Sequence, residues 1–146
     1  MIRPATVEDV PRLVELGRAF LRTPPYAGLF ADAPDVLATL IQTLITGPAS
    51  TVLVIDQADL VVGAIGLLVA PHFASGEALA SEVFWYMDPQ YRGAGVRLLR
   101  AGEHWAAASG AVGVAMVAPD DRLGAVYERW GYQLMERSYL RRFDAA

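Results

Sequence analysis

The sequence predicts an α/β fold built around a mixed sheet, and three observations carry this prediction. Strand-like and helix-like segments alternate in the order β-α-α-β-β-β-α-β-α-β, with room for one more strand at the end. A strand-like segment runs directly into a turn with two glycines and then into a helix. The length of 146 residues suits one compact unit, so we assign 1–146 to a single domain.

The first half of the chain contains five predicted elements, each identified by its apolar periodicity and bounded by proline, glycine or polar residues. They are a strand over 2–5, helices over 6–22 and 35–46, and strands over 51–56 and 60–70. Thr6 or Asp9 can cap the first helix. The short segment between the last two strands is typical of a hairpin.

The second half adds a further set of elements of the same kinds. They are a strand over 79–87, a helix over 95–109, a strand over 111–118, a helix over 120–130, and one or two strands over 132–143. Gly110 and Gly131 follow the two helices, as expected for residues that end a helix. Trp85, Trp105 and Trp130 fall at apolar positions and are predicted core residues.

Composition excludes several classes of function. There is no cysteine, which rules out disulfides, thiolate metal sites and a cysteine nucleophile. The net charge of −4 argues against nucleic-acid binding, which requires a basic face. The longest apolar run is too short to cross a membrane, and the N-terminus does not resemble a signal peptide. We therefore expect a cytoplasmic protein, and the scattered His, Asp and Glu residues predict no metal site.

The stretch "QYRGAG" stands where a strand gives way to a helix. The first amides of a helix have no partner inside it and lie at the positive end of its dipole, so they attract anions. We expect the amides of Gly93 to Val96 to bind a phosphate, with Arg92 and Arg97 adding positive charge. The alternative is an ordinary turn. The spacing matches neither a dinucleotide-binding fingerprint nor a P-loop.

Three stretches resemble the GNAT superfamily, the Gcn5-related N-acetyltransferases. They are "IRPATVEDVPRLVEL" near the start, "MDPQYRGAG" at 87–95 and "AVYERWGY" at 125–132. The second stretch matches the family's acetyl-CoA signature at Gln90, Gly93 and Gly95. The resemblance implies a mixed, mostly antiparallel sheet with splayed fourth and fifth strands, flanked by about four helices.

Two positions depart from the pattern of the family. Many relatives have a third glycine where this chain has Arg97, a side chain that could crowd a pyrophosphate or pair with it. Relatives often carry asparagine where this chain has Asp120. The shorter glycine signature is intact, so we expect the cofactor to bind.

The resemblance implies an acetyl-CoA-dependent N-acetyltransferase, in which a primary amine of a small molecule or peptide attacks the thioester directly. Family relatives donate a backbone N–H from the fourth strand to the developing oxyanion, and this maps to about Met87, with Tyr86 or Asp88 as alternatives; otherwise Met87 is simply a buried strand residue. The residues implied in cofactor binding are Met87, Gln90, Arg92, Gly93, Ala94, Gly95, Val96 and Arg97.

Tyr127 and Glu82 are the implied catalytic residues. Tyr127 occupies the position of the family's tyrosine near the cofactor sulfur, where a phenol can protonate the leaving thiolate; the alternative is a core tyrosine. Glu82 lies on the strand before the signature and can act as the general base, or can be a solvated strand residue. Strand alternation places it on the face of Phe84 and Tyr86, and a bulge would reverse this. His72 is a lesser candidate, as is Glu77.

The position of two loops in the family's topology implies an acceptor pocket lined by Tyr26, Phe30, His72 and Phe73, although hydrophobic closure of the core could also explain Phe30. The segment 137–143 could pair across a sheet edge in a homodimer. Two other functions remain open. One is a non-catalytic GNAT-fold module that binds CoA or a protein partner, and the other is an acyltransferase that uses a longer acyl-CoA.

Overall fold

The computed structural model describes residues 1–144, which contain five strands and four α-helices. The strands are β1 (Ile2–Pro4), β2 (Ser50–Gln57), β3 (Leu60–Pro71), β4 (Ala78–Met87) and β5 (Val114–Ala115). The helices are α1 (Val10–Leu21), α2 (Pro34–Thr46), α3 (Gly95–Ala108) and α4 (Asp121–Arg129). Two 3₁₀ turns, Val7–Asp9 and Pro89–Ala94, lead into α1 and α3.

One mixed sheet has the strand order β1-β2-β3-β4-β5. Every neighbouring pair is antiparallel except β4 and β5, which are parallel. Ala58 and Asp59 make the β2–β3 hairpin turn, with φ values of 50° and 63°. The predicted fold class, hairpin and helices are confirmed, with element ends shifted by one or two residues and the start of the first predicted helix formed as a 3₁₀ turn.

The first helix is fixed by side chains around its N-terminus. Thr6 and Asp9 form a capping box, in which the Thr6 N–H donates to the Asp9 carboxylate at 2.8 Å. Arg3 on β1 donates to Asp9 at 2.8 Å and to Asp56 on β2 at 2.8 Å. Both capping residues considered from the sequence therefore contribute, and Arg3 ties the helix start to two strands.

The two faces of the sheet pack against different helices because alternate strand residues point to opposite sides. One buried cluster joins α1 and α2 to the sheet through residues that include Leu13, Ile41 and Tyr86. The second cluster joins α3 and α4 to the opposite face through Leu98, Leu99 and Tyr127. Trp85, Trp105 and Trp130 pack against this second cluster, as predicted.

A β-bulge interrupts the pairing of β3 with β4. Gly66 pairs with Phe84, whereas the next residue, Leu67, pairs with Glu82, so Val83 is the extra residue. Directly opposed residues share a face, and Leu67 belongs to the α3–α4 cluster. The bulge therefore moves Glu82 from the face of Phe84, where simple alternation placed it, to the opposite face.

The end of the chain differs from the prediction. The strand predicted over 111–118 forms only at Val114–Ala115, and the strands predicted over 132–143 do not form. A two-residue β5 offers almost no ladder for another strand, so the tail has no backbone partner in the sheet. Arg142 instead donates to the Leu29 carbonyl. The segment suggested for pairing two copies is thus not a strand.

Candidate active site

The pairing of β4 with β5 is short and leaves an opening between β4 and the segment after β5. The two strands pair only at Ala80–Val114 and Ser81–Ala115, although β4 continues to Met87. Beyond the last pair, the chain after β5 departs from β4, which is the splay implied by the resemblance. The side chains described below reach this opening from β4 and from α4.

Glu82 crosses the opening with its side chain. Its Oε1 accepts a hydrogen bond from the backbone N–H of Val117 at 3.0 Å, which joins β4 to the segment after β5. Burial raises the pKa of Glu82 to about 7, and the hydrogen bond from Val117 opposes that rise. A carboxyl with this pKa exchanges a proton readily near neutral pH, which suits a general base.

Tyr127 reaches the same residue from α4. Its hydroxyl donates to the Val117 carbonyl at 3.1 Å, and the residue is only 5% exposed. Burial, followed by the nearby charge of Glu82, raises the pKa of Tyr127 far above its ordinary value. The phenol therefore stays protonated and keeps a proton to donate. Its ring packs between Trp85 and Tyr132, with centroids 6.0 and 5.3 Å away.

The backbone of Met87 faces the same opening. Asp88 donates its N–H to the Val62 carbonyl at 2.7 Å, continuing the antiparallel register in which Met87 opposes Gly63. Only alternate residues bond to a given neighbouring strand in an antiparallel pair. The Met87 N–H consequently points away from β3, toward the side where β4 and β5 separate.

The glycine turn is a 3₁₀ segment that begins at Asp88, whose carboxylate accepts the Gln90 N–H at 3.0 Å. Gly95 and Gly93 differ in whether the surrounding protein atoms leave room for a side chain. A Cβ added to Gly95 would lie 3.3 Å from Met87 Cγ and 3.4 Å from Trp85 Cζ2, so close packing favours glycine there. A Cβ added to Gly93 would meet nothing within 4 Å.

The turn exposes the groups that an anion needs. Gln90, Arg92, Gly93, Val96 and Arg97 are exposed, and Ala94 is half-buried. Neither Arg92 nor Arg97 forms an ion pair with any residue of the described range 1–144. Three amides of the turn are already in use, because the Gln90 N–H donates to the Asp88 carboxylate, the Tyr91 N–H to the Asp88 carbonyl and the Gly95 N–H to the Arg92 carbonyl.

The predicted acceptor-pocket residues divide into two groups. Tyr26 packs on Phe20 with ring centroids 5.1 Å apart. Its pKa is raised mainly by burial and further by the negative charges of Glu82 and Asp120. Tyr26 therefore lies on the same side of the molecule as the catalytic candidates.

The other three pocket candidates are exposed. His72 and Phe73 face each other at 5.0 Å in the loop after β3, with Phe73 97% exposed. Phe30 is exposed beneath the Arg142 guanidinium. Glu82 and Tyr127 meet on Val117, and Tyr26 is near enough for the charge of Glu82 to act on it. His72 and Phe73 lie in one exposed loop and Phe30 in another.

A splayed β4–β5 pair beside a glycine turn, with a carboxyl and a phenol bonded to one residue across the opening, matches the acyltransferase class of α/β protein that the resemblance implied. The family model described as the acetyltransferase (GNAT) family matches residues 15–132. This chain therefore belongs to the GNAT acetyltransferase family, whose members use acyl-CoA and an acceptor substrate. A search of the curated proteins found no match.

Solved structures share the fold. A tetramutant of the BH1408 protein from Bacillus halodurans is 17% identical with a TM-score of 0.82, covering 98% of this chain and 99% of that one. A Trypanosoma brucei acetyltransferase is 21% identical with a TM-score of 0.75, covering 98% and 99%. A ribosomal-protein-alanine N-acetyltransferase from Brucella melitensis biovar Abortus 2308 is 17% identical with a TM-score of 0.74, covering 98% of each chain.

The residues of the turn fit the phosphates of acyl-CoA. Gly93 has no side chain to block the approach of a phosphate, and a Cβ there would meet no protein atom within 4 Å. Arg92 precedes Gly93 in the sequence and Arg97 follows it, and both side chains are exposed. Beneath the start of α3, the indole N–H of Trp85 is buried without a hydrogen-bond partner among the described residues. Buried polar groups of this kind are rare and often mark a binding site.

Sequence reasoning missed Val117, and it considered Asp88 only as an alternative donor to the oxyanion and not as the cap of the turn. Val117 contributes only its backbone, so no side-chain signal could have revealed it. Asp88 caps the turn, and its signal was present, because Asp followed by Pro89 is typical of a helix start. Within residues 1–144, no group of three or more His, Asp or Glu is arranged to hold a metal, and no helix is long and apolar enough to cross a membrane.

Proposed function

We propose that this protein is an acetyl-CoA-dependent N-acetyltransferase that acetylates a primary amine of a small molecule or peptide. The observation that carries the proposal is the shared anchoring of Glu82 and Tyr127 on Val117. It holds a carboxyl with a pKa near neutrality and a phenol that is protonated at neutral pH at one opening in the sheet. Acyl transfer to an amine needs one group of each kind.

The glycine turn would bind the phosphates of the acyl donor. Backbone amides between Gly93 and Val96 would donate to phosphate oxygens at the positive end of α3. Arg92 and Arg97 would supply charge, and the Gln90 side chain would flank the same turn. Acetyl-CoA supplies a thioester whose C–S bond breaks as the amide C–N bond forms.

The remaining residues would manage protons and charge. The acceptor attacks as the neutral amine, after its ammonium form has released one proton to solvent. Glu82 accepts the second proton from the nitrogen as the C–N bond forms, and Tyr127 donates its hydroxyl proton to the departing sulfur. The Met87 N–H, which points into the opening, donates to the thioester oxygen where negative charge develops. Solvent then takes the proton from Glu82 and returns one to Tyr127, so the proton balance closes.

The acceptor side would favour cations. The carboxylates of Glu82 and Asp120 act on the Tyr26 hydroxyl, so an ammonium entering there meets negative charge and an aromatic ring. His72, Phe73 and Phe30 would contact larger acceptors from the exposed loops. The name of the Brucella neighbour adds peptides with an N-terminal alanine to the substrates worth testing.

The direct test is turnover of acetyl-CoA with a panel of diamines, amino sugars and short peptides. Free thiol release and the mass of the acetylated amine are measured together. The chain has no lysine, so its own side chains offer no amine to confuse the product analysis. We expect thiol release that requires an amine and fails in Glu82→Gln. Equal release by wild type and Glu82→Gln across the panel would refute the proposed chemistry.

Arg97 motivates a second candidate, a non-catalytic GNAT module that no longer binds acyl-CoA. It stands in the first turn of α3, where many relatives have glycine. Calorimetric titration with acetyl-CoA separates the two candidates, with Arg97→Gly beside the wild type. We expect the wild type to bind. Binding that appears only in Arg97→Gly would instead indicate a lapsed enzyme. Titration with longer acyl-CoAs tests the remaining alternative of a different acyl donor.

A further inference from the structure

Arg12, on the first turn of α1, connects three parts of the molecule. Its Nε donates to the Val61 carbonyl at the start of β3 at 2.9 Å. Its Nη1 donates to Glu15 on its own helix at 3.1 Å. Its Nη2 lies 3.7 Å from Asp88 Oδ2, and about a quarter of each side chain in this pair is exposed. The guanidinium thus spans from α1 to the strand end that precedes the glycine turn.

Asp88 is the residue on which the glycine turn depends. Its Oδ1 accepts the Gln90 N–H at 3.0 Å, and its carbonyl accepts the Tyr91 N–H at 2.8 Å. Its own N–H donates to Val62, the neighbour of the residue that Arg12 binds. The two carboxylate oxygens have separate tasks, because Oδ1 caps the turn and Oδ2 faces Arg12.

A second bond keeps this part of α1 in place. The Tyr86 hydroxyl donates to the Leu13 carbonyl at 2.8 Å in the buried core. The residue next to Arg12 is therefore tied to β4 one position before Met87. With its helix held there, the Arg12 guanidinium has few other positions available, so it acts on Asp88 from a fixed direction.

We propose that Arg12 is a positioning residue for the phosphate-binding turn. It touches no substrate; it orients the Asp88 carboxylate so that Oδ1 caps the turn and the amides after it keep the geometry that phosphates require. The proposal rests on the proposed binding of acyl-CoA by that turn. This role also explains an arginine at position 12, because a planar guanidinium can donate to the Val61 carbonyl and face the Asp88 carboxylate at the same time.

The test compares two acyl donors with one acceptor amine. Acetyl-CoA carries the phosphates, whereas S-acetylpantetheine lacks the pyrophosphate and nucleotide. In Arg12→Gln we expect KM for acetyl-CoA to rise about two- to fivefold, the scale of one lost, partly exposed ion pair, with kcat and the KM of the amine unchanged. Activity with S-acetylpantetheine should equal that of the wild type. In Arg12→Lys the KM for acetyl-CoA should lie between those of the wild type and Arg12→Gln, because lysine keeps the positive charge but lacks the planar guanidinium.

Two further variants complete the design. Asp88→Asn should raise the same KM, and the double variant should be no worse than the stronger single variant, because both act on one contact. Arg18→Gln is the matched control, since Arg18 lies on the same helix and pairs with Asp32 at the surface. It should leave both donors unaffected.

The outcomes separate the inference from the function on which it rests. No turnover and no CoA binding by the wild type refutes the proposed function. If the wild type is active, equal losses with both donors, or a lower melting temperature with unchanged KM, would overturn the positioning role of Arg12. If Arg12→Gln does not fold, Arg12→Lys and Asp88→Asn decide between the same outcomes.

Discussion

Glu82 and Tyr127 hydrogen-bond to the two sides of one residue, the carboxylate to the Val117 N–H and the phenol to the Val117 carbonyl. One side chain comes from β4 and the other from α4, and neither bonds the other directly. A carboxyl and a phenol are thereby held at one opening, where we propose that they act as separate base and acid. The first two predictions follow from this arrangement.

Tyr127→Phe should lower kcat for acetyl transfer by at least about 100-fold while leaving the Kd of CoA unchanged, because only the proton donor is lost. Loss of the bond to Val117 should also lower the free energy of unfolding by about 1 kcal/mol. Steady-state kinetics, calorimetry and urea unfolding check the three quantities. Tyr132→Phe is the matched control, since Tyr132 lies beside Tyr127 but bonds Glu103 instead. Full activity in Tyr127→Phe would exclude it as the acid.

The pH profile of kcat/KM should contain a limb near pH 7 that belongs to Glu82. Below that pH the carboxyl is protonated and cannot accept a proton from the amine, so the rate should rise as pH increases through about 7. In Glu82→Gln this limb should disappear along with most of the activity. A limb that persists unchanged in Glu82→Gln would assign the base to another group.

The same carboxyl should make stability depend on pH. Its pKa is raised from 4.5 to about 7 on folding, so the native state binds more protons than the unfolded state between these values. The free energy of unfolding should therefore fall as pH rises from 4.5 to 7, by on the order of 3 kcal/mol relative to Glu82→Gln. Urea unfolding of both proteins across this range measures the difference. A constant difference would contradict the raised pKa.

Gly93→Ala and Gly95→Ala should affect different properties. At Gly93 an added Cβ meets no protein atom, so stability should be preserved while CoA binding weakens. At Gly95 the Cβ presses on Met87 and Trp85, so the free energy of unfolding should fall, by about 1 kcal/mol or more. Thermal unfolding and CoA titration of the pair distinguish the two roles. If Gly93→Ala binds CoA like the wild type, the turn does not approach phosphate closely at that residue.

Gly66→Ala should be more damaging than Gly63→Ala on the same strand. The Cβ at Gly66 would lie 2.6 Å from the Phe84 ring, which stacks on Tyr86 and cannot move freely. At Gly63 the Cβ would lie 2.8 Å from Cε of Met87 and closer still to its Sδ, at the flexible end of that side chain, with the Tyr86 carbonyl oxygen 3.1 Å away. We expect a loss of about 1–3 kcal/mol for Gly66→Ala and a smaller one for Gly63→Ala, measured by urea unfolding. Equal losses would show that the Phe84 ring accommodates the methyl group.

Much of the fold was predictable because it depends on near neighbours in the chain. Apolar periodicity located the helices and the long strands, and the hairpin turn at Ala58 and Asp59 lies where the polar segment predicted it. Gly110 and Gly131 have φ values of 83° and 91°, which explains why the helices end beside them. The glycine turn and the family were also evident from the sequence.

The tail shows where local patterning misleads. Residues 132–143 alternate well enough to predict strands, but a strand requires a neighbour, and β5 has only two paired residues to offer. Tyr139 and Phe143 are consequently about nine-tenths exposed. Pairing partners depend on the whole fold, so the segment's own sequence could not decide this.

By itself, the sequence determined the class of the fold, the family and the residue types available for acyl transfer, because these follow from short-range patterns. Only the tertiary structure decided how those residues meet. A single extra residue, Val83, turns Glu82 to the face of the sheet where Tyr127 lies. The contacts that complete the site join residues far apart, 35 positions for Glu82 and Val117 and 49 for Arg12 and Val61. Such contacts depend on bulges, register and helix placement, which no local pattern records.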